Sequence, residues 1–372
     1  MIPADQWRAY NEAVESIRSA AESEVRDAVL GWLNEHPGAS VAEAREEAAR
    51  IMRGAVQRHD KEAAALAAQW YDAQGRAAGA ALDRAVTAPA YSGDAVQALA
   101  RYQVRKYQAG DLAGFAAMCG EFAANDAMRS VNETVLRNAR RDKAKGVRFA
   151  RVTSGRNTCA FCLMLAGRGA VYWSRESAGA LNKWHRHCTC KVVPSYSGDR
   201  WETLVEGHDP AKIEARLKQV ESMTGTRRNA PEFSREVALR DPDWLFGGEA
   251  RVTFEDGDRH ERREVQTADW LRSSGISCEF RKTRENESKR TSDVLINEVP
   301  WEFKQPQGSG KNNIYNQFNE ASGQSDKLVI DCSRSPFSFE EVCEKARAAI
   351  SRRTDFTQVI VVDSEHYALY TK

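Results

Sequence analysis

The N-terminal part of the chain has the pattern of long amphipathic helices. Across residues 5–35, apolar side chains from Tyr10 to Trp32 recur at intervals of three and four positions, with polar residues between them. The run His36-Pro37-Gly38 ends this pattern and marks a helix terminus. Because the apolar stripe is narrow, this helix needs partner helices to bury it.

Further helices are predicted over about 41–84, 94–108 and 111–144. Ser40, followed by Glu43 three residues later, has the spacing of a capping box that begins the first of them. The last helix closes in a basic run, Arg137 to Lys145. Residues 1–146 are therefore predicted to form a helical head or assembly region that holds no catalytic cluster.

The pattern changes after this helical region. Residues 147–152 alternate like a strand and open a small cysteine- and histidine-rich module, predicted over 147–200. Residues 201–254 contain a helical stretch at about 210–223 and several Gly-, Pro- and Asp-rich turns, which indicates a connector. The boundary to the final domain is expected between 224 and 258.

Residues 255–372 alternate between helix and strand patterns. The predicted helices are 262–274, 312–323 and 339–352, and the predicted strands are 276–282, a hairpin within 292–304, 327–332, 357–363 and 367–370. This order predicts an α/β domain in which a mixed sheet lies between helices.

Composition limits the possible functions. A chain of 372 residues is too long for one ordinary core, so it is expected to be multidomain. The 54 basic and 53 acidic side chains nearly cancel, so any nucleic-acid surface has to be local. No signal-peptide pattern opens the sequence and no run of about 18 apolar residues occurs, so no membrane partner is expected.

Four of the eight cysteines cluster with two histidines, which favours metal binding over a disulfide scaffold. The motif runs Cys159-Ala-Phe-Cys162, then His185-Arg-His187-Cys188-Thr-Cys190. Two pairs of soft ligands suit a closed, structural Zn²⁺ site. Because Cys-x-Cys strains tetrahedral geometry, His185 or His187 is an alternative to Cys188 or Cys190. The competing interpretations are a redox dithiol in the first pair, or four buried cysteines without metal.

This stretch resembles the minor head proteins of tailed phages related to the phage Mu F protein. Residues 157–172 and the ending His185-x2-Cys188-x-Cys190 carry the resemblance, which extends over about residues 1–200. It implies a protein associated with the phage portal and capsid. Members of that family often carry unrelated C-terminal extensions, some of them toxins.

The segment 292–304 predicts a β-hairpin around an Asn297-Glu298 turn. Side chains alternate between the faces of a strand, so Glu302 and Lys304 share one face while Trp301 and Phe303 point into the core.

Closure of this hairpin would bring Asp293 to the same edge as Glu302 and Lys304. Two close carboxylates repel unless a cation lies between them, and their oxygens suit Mg²⁺ or Mn²⁺. A lysine beside that ion can polarise water or stabilise charge on a phosphate. The alternative is a half-buried hairpin with a solvated polar face.

The spacing Asp293-x8-Glu302-x-Lys304 on paired strands resembles the PD-(D/E)xK nuclease superfamily. The resemblance implies a PD-(D/E)xK-like nuclease domain over 255–372 that cleaves phosphodiesters with a divalent ion. It also implies a further carboxylate from the first helix, for which Glu264 is the candidate and Glu261 a poorer one.

The run 301–308, with Gln324-Ser325 and 329–331 further on, resembles the C-terminal tRNA-nuclease domains of bacterial contact-dependent inhibition toxins of the CdiA type. That resemblance implies a metal-dependent endonuclease that acts on tRNA in the cytoplasm of a target cell. It also implies a small cognate immunity protein. Gln324 is then a candidate for orienting the substrate.

Basic side chains near the hairpin are candidates for phosphate contacts. Arg281 and Lys282 precede it, and Lys311 ends the loop Gln307-Gly-Ser-Gly that follows it. Interspersed Glu285 and Glu287 leave a solvated loop as the alternative for the first two, and a plain linker turn is the alternative for the glycine loop.

The sequence as a whole favours a phage-type minor head protein, in the virion or the host bacterial cytoplasm, that carries a metal-dependent endonuclease toxin. The fold expected is a helical region with a zinc-knuckle module, followed by an α/β nuclease domain. The alternative is a purely structural virion protein whose C-terminal domain binds nucleic acid without cutting it. A metal-independent ribonuclease ranks last, because that domain contains only His260 and His366 and neither lies in a motif.

Overall fold

In the computed structural model, the described residues are 1–89, 93–154, 158–172, 190–255, 260–282 and 292–372. They divide into two units. The first unit contains residues 1–158 and 165–211, and the second contains 159–164 and 212–372. No helix among the described residues is long and apolar enough to cross a membrane.

The first unit is built from four long helices. They are α1 (Ala4–Glu35), α2 (Val41–Ala77), α3 (Gly93–Gln108) and α4 (Leu112–Arg141), after which Asp142–Lys145 form a 3₁₀ turn. Their core is rich in alanine, so the backbones approach closely. A Cβ at Gly120 of α4 would lie only 2.5 Å from the carbonyl oxygen of Glu22 in α1. The predicted helical region is therefore confirmed.

The start of α2 follows the sequence prediction, but its end does not. Ser40 and Glu43 form the reciprocal hydrogen bonds of a capping box. The helix ends at Ala77 rather than near Arg84, and a Gly79 residue with φ of 66° follows it. Propensity alone could not predict this end, because the segment after it is held by side chains of α4.

A two-stranded ribbon packs on α4. It pairs β1 (Arg148–Val152) with β2 (Lys191–Ser195) in antiparallel register, and the short helix α5 (Ala160–Ala166) lies between them in sequence. The amide oxygen of Asn132 on α4 accepts a hydrogen bond from the Val192 N–H at 2.8 Å. The predicted strand at 147–152 corresponds to β1.

The second unit places a mixed sheet among helices. Its elements are α6 (Pro210–Thr224), α7 (Pro231–Leu239), α8 (Pro242–Leu245), β3 (Val252–Phe254), α9 (Arg262–Ser273), β4 (Cys278–Phe280), β5 (Val294–Ile296), β6 (Val299–Lys304), α10 (Asn313–Ala321), β7 (Lys327–Asp331), α11 (Phe339–Arg352), β8 (Gln358–Val362) and β9 (Tyr367–Thr371). From α9 onward this is the predicted order of helices and strands.

The seven strands lie in sequence order from β3 to β9. Strands β6, β7 and β8 are parallel, β3 is parallel to β4, and the remaining neighbours are antiparallel. Alternate residues enter two cores. Leu328 and Ile330 pack with α10 and α11, whereas Val329, Trp301 and Phe303 pack with α9. The hairpin strand β6 thus lies inside the sheet, next to its parallel core.

Much of the predicted connector belongs to the second unit. The amide of Asn297 in the hairpin turn donates to the Ala238 carbonyl at 2.9 Å. The ring of Trp244 covers Gly275 so closely that a Cβ there would lie 2.5 Å from it. The division between the units falls at residues 211–212, before the range expected from the sequence.

Candidate active site

The hairpin of β5 and β6 closes as the sequence predicts. Asn297 and Glu298 at its turn have φ values of 48° and 66°, the left-handed conformation that a tight hairpin turn requires. The register pairs Ile296 with Val299 and Val294 with Trp301. Asp293, one residue before Val294, consequently lies beside Glu302, and its Oδ2 accepts a hydrogen bond from the Phe303 N–H at 2.7 Å.

Lys304 and Glu302 form a close ion pair in this site. The Lys304 ammonium donates to Glu302 Oε1 at 2.6 Å. The other carboxylate oxygen, Glu302 Oε2, is buried and accepts no hydrogen bond from an N–H among the described residues, but the carboxyls of Glu302 and Asp293 are close enough to share a proton. We expected Glu302 to be partly solvent-facing, but its side chain is only 2% exposed, because β6 is an interior strand between β5 and β7. Lys304 is the more accessible of the pair, at 19%.

The carboxyls of the site hold protons more strongly than usual. Burial raises the pKa of Glu302 to about 7, and the negative charge of Asp293 adds to the rise. Burial also raises the pKa of Asp293, although the Phe303 N–H and the Lys304 charge oppose that rise. One ammonium is therefore too little positive charge for these acids.

Glu264 on α9 belongs to the same electrostatic cluster. Burial, followed by the charges of Asp293 and Glu261, raises the pKa of Glu264 to about 7. Glu264, the candidate that the resemblance implied, is thus an acid whose pKa is raised by the charge of Asp293. Among the described residues no group of three or more His, Cys, Asp or Glu side chains forms a ready-made metal cage.

His260 is a neighbour that the sequence did not single out. Its ring packs on Phe280, with centroids 4.4 Å apart, and its Nδ1 lies 3.9 Å from Glu264 Oε2. The charge of protonated His260 would lower the pKa of Asp293. His260 precedes α9 by two residues, so no helical spacing in the sequence pointed to it, and its place depends on packing against Phe280.

A second group of polar side chains at the end of β6 and β7 was also missed. Thr267 Oγ1 lies 2.7 Å from Asp331 Oδ2 and accepts a hydrogen bond from Gln305 Nε2 at 3.1 Å. Lys304 pairs with Ile330, so Gln305 and Asp331 follow the site at the carboxyl ends of adjacent parallel strands. An acidic residue directly after the buried run Leu328-Val-Ile was the sequence signal.

The candidate substrate-binding residues are placed differently from one another. The Arg281 N–H donates to the Asp293 carbonyl and its guanidinium donates to Ser292 Oγ, so Arg281 lies next to the site. Lys282 is exposed directly beyond it, and Lys311 is exposed in the turn before α10. Three further basic residues of the segment between Lys282 and the hairpin, Arg284, Lys289 and Arg290, lie outside the described residues.

Gln324 is not brought to the carboxylates. It precedes β7 by three residues, whereas Glu302 pairs with Leu328 further along that strand. The Gln324 amide donates to the Glu320 carbonyl at 2.8 Å. Neighbouring Ser325 bonds to the Pro300 carbonyl, which places this segment toward the turn end of the hairpin.

The predicted zinc ligands are described only in part. Cys159 Sγ accepts a hydrogen bond from the Cys162 N–H at 3.3 Å, and buried Cys190 Sγ accepts one from the Arg151 guanidinium at 2.6 Å. His185, His187 and Cys188 lie outside the described residues, so the zinc knuckle stays a prediction.

The chain matches two protein-family models in different regions. Residues 1–220 match the VG15 protein family, and residues 289–367 match the contact-dependent growth inhibition CdiA C-terminal domain. The second match includes Asp293, Glu302 and Lys304. It supports the predicted resemblance to CdiA-type toxin domains. The first match places the N-terminal part in the VG15 family, and the finer resemblance to Mu F-like minor head proteins stays a prediction.

Two curated phage proteins are also similar to part of this chain. The Gene 15 protein of Mycobacterium phage D29 is 32% identical across 14% of this chain and 30% of its own length. The Gene 15 protein of Mycobacterium phage L5 is 28% identical across 22% of this chain and 45% of its own length. The chain therefore spans less than half of either relative.

A solved structure also matches part of the chain. It is the CdiA-CT/CdiI toxin and immunity complex from Burkholderia pseudomallei, which is 18% identical and covers 33% of this chain and 100% of that one, with a TM-score of 0.27. A TM-score this low carries no structural argument.

Proposed function

The chain belongs to the VG15 protein family, and we propose that it is a phage-type protein whose C-terminal domain is a metal-dependent endonuclease toxin. The observation that carries the proposal is the grouping of Asp293, Glu302 and Lys304 at one hairpin edge. The site contains two buried acids with raised pKa values and one ammonium, so its negative charge exceeds its positive charge when both acids are ionised.

Asp293 and Glu302 would hold Mg²⁺ or Mn²⁺. Glu302 Oε2 accepts no hydrogen bond from an N–H among the described residues, and the carboxyls of Asp293 and Glu302 lie close enough to share a proton. A divalent ion could take the place of that proton between the two acids. Mg²⁺ commonly uses one or two carboxylates and completes its shell with waters and substrate phosphate, so the absence of a third close protein ligand among the described residues agrees with that ion. A divalent ion supplies charge neutralisation and lowers the pKa of water.

Lys304 has the position to stabilise negative charge on a reacting phosphate. Its ammonium is held by Glu302 and remains partly exposed, so it can turn from the carboxylate toward a substrate. Arg281, with Lys282 beyond it, would contact adjacent phosphates from the Asp293 side. Glu264 feels the charge of Asp293 and lies beside His260, so Glu264 is the candidate to take up a proton when water is deprotonated.

tRNA in the cytoplasm of a target cell is the proposed substrate, and a cognate immunity protein is the proposed partner. Both rest on the similarity of residues 289–367 to the CdiA C-terminal domain. The N-terminal unit would associate with phage portal or capsid proteins, in the virion or the host bacterial cytoplasm. A structural Zn²⁺ held by Cys159, Cys162 and two of His185, His187, Cys188 and Cys190 would stabilise the cysteine- and histidine-rich module. The N–H donors that reach the sulfurs of Cys159 and Cys190 are compatible with metal-binding cysteines.

The alternative is a purely structural virion protein whose C-terminal domain binds nucleic acid without cleavage. The acids at Asp293, Glu302 and Glu264 argue against a simple polyanion-binding surface, because their charges would repel phosphate in the absence of a cation.

Cleavage by the purified whole chain tests the proposal. Total tRNA, ribosomal RNA and plasmid DNA are incubated with Mg²⁺, Mn²⁺ or EDTA, and the RNA ends are mapped. We expect metal-dependent tRNA cleavage that Lys304→Met reduces by about 10²–10³-fold, the usual effect of removing a group that stabilises transition-state charge. Lys345→Met on α11 is the matched control.

If the chain cleaved only the plasmid DNA, the proposed catalytic site would still hold, but the proposed substrate would change from tRNA to DNA. Failure of the folded wild-type chain to cut any of the three nucleic acids with either metal would contradict the enzymatic assignment. Equal activity of Lys304→Met and wild type would contradict the role of Lys304.

A further inference from the structure

A cavity of about 760 Å³ lies in the first unit along the C-terminal half of α4. Four arginines of that helix line it, together with Glu133 and the segment Ala88-Pro89. The arginines are Arg129, Arg137, Arg140 and Arg141. The cavity is large enough for a drug-sized or oligomeric ligand, and its walls are positively charged.

The segment 84–88, which leads into the cavity lining, is held against α4 by side chains of that helix. Thr134 Oγ1 accepts a hydrogen bond from the Ala88 N–H at 3.0 Å. The Asn138 amide accepts from the Val86 N–H at 2.9 Å and donates to the Val86 carbonyl at 2.8 Å. The guanidinium of Arg141 donates to the Arg84 carbonyl at 2.9 Å. This part of the cavity lining is therefore held in place by the fold itself.

The four arginines fall into two classes. Arg129 is neutralised by Asp60 and Asp126, and Arg141 is neutralised by Asp142 at 2.8 Å. Arg137 and Arg140 are exposed, and within the ranges that the structure describes neither forms an ion pair. They lie three residues apart, on neighbouring positions of one helix face. The guanidiniums of Arg137 and Arg140, which form no ion pair among the described residues, thus line the cavity.

We propose that this cavity binds the phosphodiester backbone of a nucleic acid. The guanidinium fork matches two phosphate oxygens, so arginine is well suited to this contact. The adjoining run 137–145 holds five basic residues against one acidic residue, while the whole chain carries only +1. Such a concentration of charge on a nearly neutral chain is the pattern of a local polyanion site. An isolated small anion would leave most of the cavity unfilled.

The test measures binding of a fluorescein-labelled DNA duplex to the whole chain by fluorescence anisotropy over a range of salt concentrations. All proteins carry Glu302→Gln and all samples contain EDTA, so the C-terminal domain cannot cut the probe. The test variant is Arg137→Gln/Arg140→Gln. The control is Arg101→Gln/Arg105→Gln, which removes the same charge from the exposed surface of α3 in the same unit.

We expect the test variant to lower the slope of log K against log salt by about 2, because each lost phosphate contact removes roughly 0.9 from it. The control should keep the wild-type slope. Equal slopes for the two double variants, each with a wild-type melting curve, would overturn the proposal. An acidic protein surface would then be the better ligand class for this cavity.

Discussion

In the first unit, buried Asp142 lies against Arg141 and Tyr71, whereas in the second unit buried Glu302 lies beside another acid, Asp293. Burial alone would raise the pKa of Asp142, but hydrogen bonds from Arg141 and Tyr71 outweigh it and lower that pKa. The same burial at Glu302 is reinforced by Asp293, and the pKa rises to about 7. The ion pair of Asp142 with Arg141 stabilises the first unit. In the second unit, Asp293 and Glu302 repel each other when both are ionised, and a bound cation would reduce that repulsion.

Breaking the paired arrangement should have the largest effect on stability. Arg129→Met leaves Asp60 and Asp126 buried without their guanidinium, which typically costs about 3–5 kcal/mol. Hydrogen exchange followed by mass spectrometry should show the loss of protection in the first unit alone. Arg137→Met, on the exposed face of the same helix, should change stability by less than about 0.5 kcal/mol. Similar losses for the two variants would show that the buried pairs do not support this unit.

A matched pair of carboxylate-to-amide changes tests the contrast between the units. Glu302→Gln should reduce nucleic-acid cleavage by about 10²–10³-fold and leave protection of the second unit unchanged or higher, because it removes a destabilising buried charge. Asp142→Asn should leave cleavage unchanged and weaken the first unit by about 1–3 kcal/mol, the cost of a weakened hydrogen bond to a charged partner. Cleavage assays and hydrogen exchange on the same samples distinguish the two outcomes. Loss of second-unit protection in Glu302→Gln would mean that Glu302 is a structural acid.

Much of this contrast could be predicted from the sequence where local rules dominate. The capping box at Ser40, the turn at Asn297-Glu298 and the alternation from Trp301 to Lys304 are set by neighbouring residues, and each prediction was correct. Asp293 and Glu302 could be brought together because the hairpin turn fixes their register.

The remaining features depend on contacts between residues distant in sequence. The burial of Glu302 follows from its place inside a seven-stranded sheet, and the location of Gln324 follows from the register of β6 with β7. His260 joined the site through packing on Phe280, which no local pattern encodes. The end of α2 at Ala77 is likewise decided by the side chains of α4.

Divalent ions should stabilise the second unit selectively. An ion that binds the folded site at about 100 times its Kd contributes about 2.7 kcal/mol. Hydrogen exchange with and without Mg²⁺ should show slower exchange around β5 and β6. The increase should vanish in Asp293→Asn/Glu302→Gln and persist in Asp142→Asn. Stabilisation of the first unit alone would place the ion elsewhere.

The two units should respond to pH in opposite directions, with a smaller effect. The folded pKa of Asp142 is below its unfolded value, so its contribution is present above the unfolded pKa and is lost on acidification through the folded pKa. The folded pKa values of Glu302 and Glu264, about 7, exceed their usual value of 4.5. Metal-free second-unit stability should therefore fall as pH rises from 4.5 to 7 and then level off. Hydrogen exchange corrected for intrinsic rates measures both trends, and parallel trends would refute the contrast.

Mn²⁺ binding to the purified whole chain, measured by the loss of the free-ion electron paramagnetic resonance signal, shows directly whether Asp293 and Glu302 hold a divalent ion. We expect one bound Mn²⁺ per chain at pH 7.5, retained in Asp142→Asn and lost in Asp293→Asn/Glu302→Gln. Undiminished binding by the double variant, or no binding by the folded wild-type chain, would contradict it.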